Sequence, residues 1–338
     1  MKSHAPRQGW LFPSPVGRRA EISVIMPMDR PGDDAARAVL SVLSQQTDRP
    51  FELIVVAASG ADLPEDERVR LVLFPERNPA VRRNRGAKVA SGSILAFIDD
   101  DAFASPEWLE NGASRIEEAE DIIAVGGPDR GAADAPVGEQ ISDTLLATPL
   151  IGSGIAAHEA RAERFEVRAP FDVALVNLFV SADAFREVGG FDESIGYIGE
   201  DTDLIKKLLE RGRVVYDPAV IVRHRRRPFP GPYIRQRWRY RVKTGEAVAA
   251  GTAPSGTRKK ALVLLAGGMS FLLLLALSPT IAAIVLLLYF AGVLALAIPV
   301  TPLPARWWWV IPPAFLLHHG TYFCGVVTGM VRQLTRRE

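Results

Sequence analysis

Three consecutive aspartates, Asp99-Asp100-Asp101, close the apolar run Ser93-Ile94-Leu95-Ala96-Phe97-Ile98. A second acidic cluster, Gly199-Glu200-Asp201-Thr202-Asp203-Leu204, follows much later in the chain. Carboxylates of an Asp-x-Asp pair project to one side when they continue a strand, because strand side chains alternate. Such a pair, with coordination positions left open, suits a magnesium or manganese ion bridging phosphate oxygens. A separate carboxylate can act as a base. Together the clusters hold what group transfer away from a diphosphate requires. Each also has a plainer use. Asp99 to Asp101 could be a solvated turn or a cap for the helix expected near Pro106, and Glu200, Asp201 and Asp203 could answer the exposed amides at a helix start.

The elements that must position these residues can be read from periodicity. Ile22-Ser23-Val24-Ile25-Met26-Pro27 reads as a buried strand ended by proline, Phe51 to Val56 as a second, Val69 to Phe74 as a third and Ile94 to Ile98 as a fourth. Asp33 to Gln46 and Arg82 to Ala90 have helical spacing between them. Strands alternating with helices imply an α/β fold, a mostly parallel sheet with helices on both faces. Ligands of such sheets bind beyond the carboxyl ends of the strands, where Pro27, Ala57 and Asp99 to Asp101 fall. From 121 to 175 the pattern weakens. Gly126-Gly127 and Gly152-Ser153-Gly154 mark loops, Phe171 to Val180 reads as a strand and Asp201 to Arg211 as a helix.

Composition divides the chain further. The net charge of +1 hides eleven Arg or Lys residues against one acid, Asp217, between Arg211 and Lys243. Tyr233 to Lys243 can form a helix with Ile234, Trp238 and Val242 on one stripe and arginines 235, 237, 239 and 241 around the rest, suited to a headgroup layer. Residues 261–300 and 307–331 hold no Asp, Glu, Lys or Arg. A spanning helix needs about 20 apolar residues, so the first stretch holds two spans reversing at Ser278-Pro279-Thr280, and the second holds one beginning at Trp307-Trp308-Trp309. Arg258, Lys259 and Lys260 favour cytoplasmic entry, yet three crossings would place Arg332, Arg336 and Arg337 outside, against the positive-inside bias. Either one segment is re-entrant or interfacial, or the bias is broken. The single cysteine, Cys324, excludes an intramolecular disulfide, and no secretory signal opens the chain. The expected domains are a lead-in over 1–20, a catalytic domain over 21–230, a basic juxtamembrane segment over 231–260, a membrane region over 261–331 and a basic tail over 332–338.

The chain resembles the family 2 glycosyltransferases. The segments that carry the resemblance run in the family's order: Ser23 to Pro27, Ala38 to Gln46, Arg83-Asn84-Arg85-Gly86-Ala87, Ala96 to Asp101, Gly189-Gly190-Phe191-Asp192-Glu193 and Gly199 to Leu204. They cover about residues 21 to 245. The resemblance implies a GT-A fold, Rossmann-like, followed here by C-terminal transmembrane helices. It assigns the divalent cation and nucleotide diphosphate to Asp99 and Asp101, and the catalytic base to Asp201. One departure matters. The family's second strand ends in an acidic pair that contacts the nucleotide base, where this chain has Ala57-Ala58, so UDP, GDP and dTDP sugars all remain open.

Further assignments follow the resemblance. Pro27, Arg83, Asn84 and Asp100 are expected at the nucleotide sugar, since a guanidinium suits phosphate. Asn177, Asp192, Glu200 and Trp238 are expected on the acceptor side, and His224, between two arginines, as an additional metal or diphosphate contact. Gln236-Arg237-Trp238 is faintly similar to the Gln-x-x-Arg-Trp motif of processive synthases, but with different spacing. His318-His319 is expected to be interfacial. The basic stretch adjoins apolar helices, which favours anionic headgroups or a polyprenyl diphosphate over nucleic acid. The implied protein is an inverting, metal-dependent glycosyltransferase at the cytoplasmic face of a membrane, moving a sugar from a nucleotide donor to a polyprenyl-linked acceptor. A polyprenyl-phosphate sugar synthase and a non-catalytic scaffold keeping the fold are the alternatives.

Overall fold

Ile22 to Met28 and Phe51 to Ala57 are apolar at nearly every position, as strands covered on both faces must be, and all fourteen residues are buried. A computed structural model describes residues 20–29, 31–152, 155–159, 161–195, 199–253 and 255–336. The lead-in expected over 1–20 lies outside them except for Ala20, as do Ser153-Gly154 of the expected loop, and Arg337 and Glu338 of the tail.

In chain order the strands are β1 (Ile22–Met28), β2 (Phe51–Ala57), β3 (Val69–Leu73), β4 (Ile94–Phe97), β5 (Ala102–Ala104), β6 (Ile122–Gly126), β7 (Asp129–Gly131), β8 (Phe165–Glu166), β9 (Leu178–Ser181), β10 (Arg213–Tyr216) and β11 (Val222–His224). The helices are α1 (Asp33–Leu43), α2 (Pro79–Val89), α3 (Trp108–Glu117), α4 (Val137–Ala147), α5 (Ala156–Glu159), α6 (Ala182–Glu187), α7 (Glu200–Leu209), α8 (Gly231–Ala250), α9 (Ser255–Leu277), α10 (Pro279–Ala297) and α11 (Ile311–Thr335).

The chain forms two units. One runs up to Ala133 and resumes over Ile155–Arg225; the other comprises Asp134–Gly154 and everything from Arg226 onward. Linear boundaries do not describe this division, because α4 carries an apolar stripe, Ile141, Leu145 and Leu146, that packs with Val293, Ala297 and Phe315 of the second unit.

The first unit is built on an eight-stranded sheet in the order β3-β2-β1-β4-β9-β6-β10-β8. It is mostly parallel, as expected, but β9 runs antiparallel between β4 and β6, and β8 is antiparallel to β10. The strand expected over Phe171 to Val180 is shorter than its apolar run. Asp172 accepts hydrogen bonds from the Arg168 and Ala169 amides, closing a turn, and the chain becomes extended only at Leu178. A second, three-stranded sheet, β5-β11-β7, stands apart from the first and was not anticipated. It places Ala102, directly after the aspartates, opposite His224.

A buried polar knot closes the amino-terminal end of β1. The Glu52 carboxylate accepts from Ser23 Oγ at 2.8 Å, from the Ser91 amide and hydroxyl at 2.7 Å each, and from Arg70 at 3.1 Å. Burial alone would raise the Glu52 carboxyl, but these donors hold it below its ordinary range. Its contribution is therefore complete above the ordinary carboxylate range and lost as pH falls through the lower folded value. Glu52→Gln is expected to cost about 1–3 kcal/mol at neutral pH. Its melting temperature, compared with the native chain's from pH 7 to pH 3, should converge on acidification.

In the second unit α9 from Ala261 onward and α10 are apolar all round and expose leucines such as Leu272, Leu273, Leu287 and Leu288, the pattern of helices facing lipid. Gly256–Leu277, Pro279–Ala297 and Ala305–Thr335 are each long and apolar enough to cross a membrane. The third differs in having half of its apolar window buried. It lies against α8 so closely that a Cβ at Gly329 would stand 2.0 Å from the Val242 carbonyl oxygen. The buried stripe of α8 is Tyr233, Arg237, Val242 and Gly245. Arg237, expected with arginines 235, 239 and 241 around the headgroup-facing side of the helix, faces inward instead.

Candidate active site

The triple aspartate does not continue β4. The strand stops at Phe97 and the chain turns through Asp100 and Asp101 into β5. That turn, rather than strand alternation, brings Asp99 and Asp101 together. His224, paired opposite Ala102, joins them: ligand atoms of Asp99, Asp101 and His224 all lie within 4.8 Å of one another. His224 Nε2 stands 3.0 Å from Asp101 Oδ1.

A residue that pattern reasoning missed completes the histidine's surroundings. Asp129, 1% exposed, opens β7 beside β11, with Oδ1 at 3.4 Å from His224 Nδ1 and Oδ2 at 3.0 Å from His158 Nδ1. Burial alone would depress the imidazole; the Asp101 and Asp129 carboxylates outweigh it and push the His224 pKa up to about 10. The pocket that stabilises a proton on this ring is equally suited to a divalent cation. Two carboxylates and an imidazole form a donor set that magnesium or manganese accepts. Asp129 on the far nitrogen is the kind of partner that fixes a ligating histidine's tautomer.

The second acidic cluster opens α7. Gly199 adopts φ +106°, a left-handed conformation that favours glycine, and turns the chain so that Glu200, Asp201 and Asp203 form the first helical turn. Arg83, on α2 and 7% exposed, links the two clusters: one guanidinium nitrogen is 2.7 Å from Asp99 Oδ1, the other 3.5 Å from Glu200 Oε1. Glu200 is held above its ordinary pKa by burial and then by the neighbouring Asp201 charge, against the pull of its own backbone amide and Arg83. Asp201 Oδ1 accepts from the Thr202 amide at 2.7 Å, and Asp203 pairs with Lys207 one turn on. Asp99, Asp101, His224, Arg83, Glu200 and Asp201 thus belong to one neighbourhood.

Other expected residues are engaged differently. Asn177 is fully buried: its carbonyl accepts from Trp108 Nε1 at 2.8 Å, and its amide donates to Pro128 and Val220 carbonyls. It cannot meet an acceptor, because every polar atom is spent bracing the core beneath the small sheet. Asn84, expected at the nucleotide, clamps the loop after α6 instead. It donates to the Phe191 carbonyl and Glu193 and accepts from the Phe191 amide. Arg83, likewise expected at phosphate, is turned inward onto carboxylates. Pro27 is buried inside β1 opposite Val56, one residue short of the strand's end. Asp100 accepts from the Asp29 amide at 2.8 Å, tying the loop after β1 to the aspartate turn. Asp192 accepts from the Ser194 amide and hydroxyl, which lower its pKa. Trp238 lies half-buried on α8 in the second unit. Arg82, not singled out from sequence, is 2% exposed and donates to the Met28 and Glu76 carbonyls, fixing the end of β1.

Comparison with known proteins agrees with this architecture. A family model described as glycosyl transferase family 2 matches residues 23–143, and one described as glycosyl transferase family group 2 matches residues 94–322, more than half of the chain. The chain belongs to the family 2 glycosyltransferases. Among curated relatives, the glucosyl-dolichyl phosphate glucuronosyltransferase of Haloferax volcanii is 28% identical over 212 residues, 56% of this chain and 64% of its own length. Glycosyltransferase AglE of the same organism is 25% identical over 233 residues, 64% of this chain and 71% of its own length. This glycosyltransferase therefore spans less than two thirds of the first relative. A mannosyltransferase of Pyrobaculum calidifontis, solved in complex with GDP-Man and Mn2+, superposes with a TM-score of 0.53 at 19% identity, covering 98% of this chain and 92% of that one. That likeness shows the GT-A fold.

Proposed function

We propose that this glycosyltransferase is inverting and cation-dependent, and that it moves one sugar from a nucleotide-sugar donor to a lipid-linked acceptor. One observation carries the reading. The Asp99, Asp101 and His224 ligand atoms converge within 4.8 Å, and Arg83 ties Asp99 to Glu200, the residue before Asp201. Asp99, Asp101 and His224 would hold the cation, which supplies charge compensation for the departing diphosphate. Arg83 holds the Asp99 carboxylate in place. Asp201 takes the proton of the acceptor hydroxyl, whose oxygen bonds to the anomeric carbon while that carbon's bond to the diphosphate breaks on the opposite face. The electron pair leaves with the nucleoside diphosphate, and the sugar's configuration inverts.

Support for a lipid-linked acceptor comes from the three apolar helices and from the Haloferax volcanii relative, whose name specifies a glucosyl-dolichyl phosphate acceptor. The test supplies the full chain in lipid nanodiscs with a panel of nucleotide sugars and polyprenyl-linked acceptors. Mass spectrometry should detect one added sugar on lipid, and NMR its inverted anomeric centre. A retained configuration, or transfer to water-soluble acceptors alone, would contradict the reading.

Asp129 provides a prediction without turnover. Asp129→Ala removes the group that orients His224 through Nδ1, and Mn2+ affinity followed by EPR is expected to fall by roughly 10–100-fold. Unchanged affinity would mean that the Asp129–His224 contact serves folding only.

A further inference from the structure

Most arginines drawn into this fold are matched by an acid. Arg83 meets Asp99, Arg115 meets Asp217, and Arg226 meets Asp143 at 2.8 Å. Two on α8 are not. Arg237 is 8% exposed and Arg241 half-buried, one helical turn apart, and among the described residues neither reaches a carboxylate within ion-pair distance. The Nε of each is buried without a hydrogen-bond partner. Arg237 makes one uncharged hydrogen bond, donating to Gln236 Oε1 at 3.2 Å, and otherwise both meet aromatic rings: the Arg237 guanidinium lies 5.4 Å from the Tyr233 ring centre and 5.1 Å from that of Tyr240, and the Arg241 guanidinium 4.2 Å from that of Tyr322. Stacking on tyrosine returns only part of what desolvating a guanidinium costs, and burial pulls the Arg241 pKa down to about 10. Two guanidiniums kept without a counter-charge are groups that an anion would complete.

We propose that Arg237 and Arg241 bind the phosphate or diphosphate headgroup of a membrane lipid, the carrier of the acceptor sugar. This rests on the lipid-linked acceptor of the preceding subsection. The guanidinium fork matches phosphate oxygens two at a time, and tyrosine walls keep water from competing. A lipid is the fitting source because the same unit consists of helices apolar enough to hold its chains. The outward arginines of the same helix, Arg235 and Arg239, are exposed and serve as internal controls.

Binding of labelled polyprenyl phosphate to the full chain in phosphatidylcholine nanodiscs tests this, with phosphatidylglycerol and inorganic pyrophosphate as competitors. Arg237→Gln and Arg241→Gln should each weaken binding by roughly tenfold or more, while Arg235→Gln leaves it within twofold. Arg241→Met, which keeps the stem and removes an uncompensated charge, should lose affinity yet melt no lower than the native chain. Donor affinity, read separately, should be unaltered in every variant. A packing role alone gives the opposite pattern: a lower melting temperature with unchanged lipid affinity. That outcome overturns the site, as do Arg235→Gln costing as much as the buried pair, or pyrophosphate competing as well as polyprenyl phosphate. If the native chain glycosylates only soluble acceptors, the proposed function fails. If it uses the lipid but the variants bind it normally, only this site does.

Discussion

Asp201→Asn is expected to reduce sugar transfer by about 10²–10⁴-fold while leaving donor affinity unchanged. The change preserves size and hydrogen bonding to Thr202 but removes the only function a base needs, a lone pair that can take up a proton. Asp201 stands in the first turn of α7, and its acidic neighbours already have partners: Glu200 faces Arg83 and Asp203 pairs with Lys207. Steady-state rates with a lipid-linked acceptor, alongside calorimetric titration of donor, separate the two effects. A variant with native turnover would show that Asp201 only starts a helix. A variant that loses donor affinity equally would show that it holds the loop.

The second large effect concerns the cation ligands. Replacing Asp101 or His224 by alanine should lower donor turnover by roughly a thousandfold, since charge compensation of a leaving diphosphate is worth several kcal/mol. His224→Ala also leaves Asp129 buried without one of its two imidazole partners, so a lower melting temperature should accompany it. There is a pH signature. Without a cation His224 keeps its proton up to about pH 10, and a binding cation must displace it. Apparent Mn2+ affinity should therefore rise with pH, by up to about tenfold per unit, across the neutral range. A flat profile would remove His224 from the ligand set.

Those ligands were legible in the sequence to different depths. The strands β1, β2 and β4 announce themselves as apolar runs, and Asp99 and Asp101 follow one of them. His224 could only be flagged, because what joins it to the aspartates is a sheet of three-residue strands, β5, β7 and β11, too short to show any period. Asp129 was silent for the same reason, its one trace being an acid straight after Gly126-Gly127-Pro128. Asn177 misled in the other direction. A polar residue at the edge of an apolar run reads as exposed, and its burial depends on Trp108 arriving from far away in the chain. Arg237 misled similarly, since helical periodicity sorts charges outward and cannot foresee that Tyr233 and Tyr240 of its own helix will shelter one. Local patterns report what a residue does to its own segment; these residues are defined by contacts made across the fold.

The most direct measurement is donor turnover by the full chain after divalent cations are stripped with EDTA and then returned as Mn2+ or Mg2+. If Asp99, Asp101 and His224 form a catalytic cation site, turnover should drop to background in EDTA and recover on return of the ion, with no recovery in Asp101→Ala. Full turnover in EDTA would contradict it.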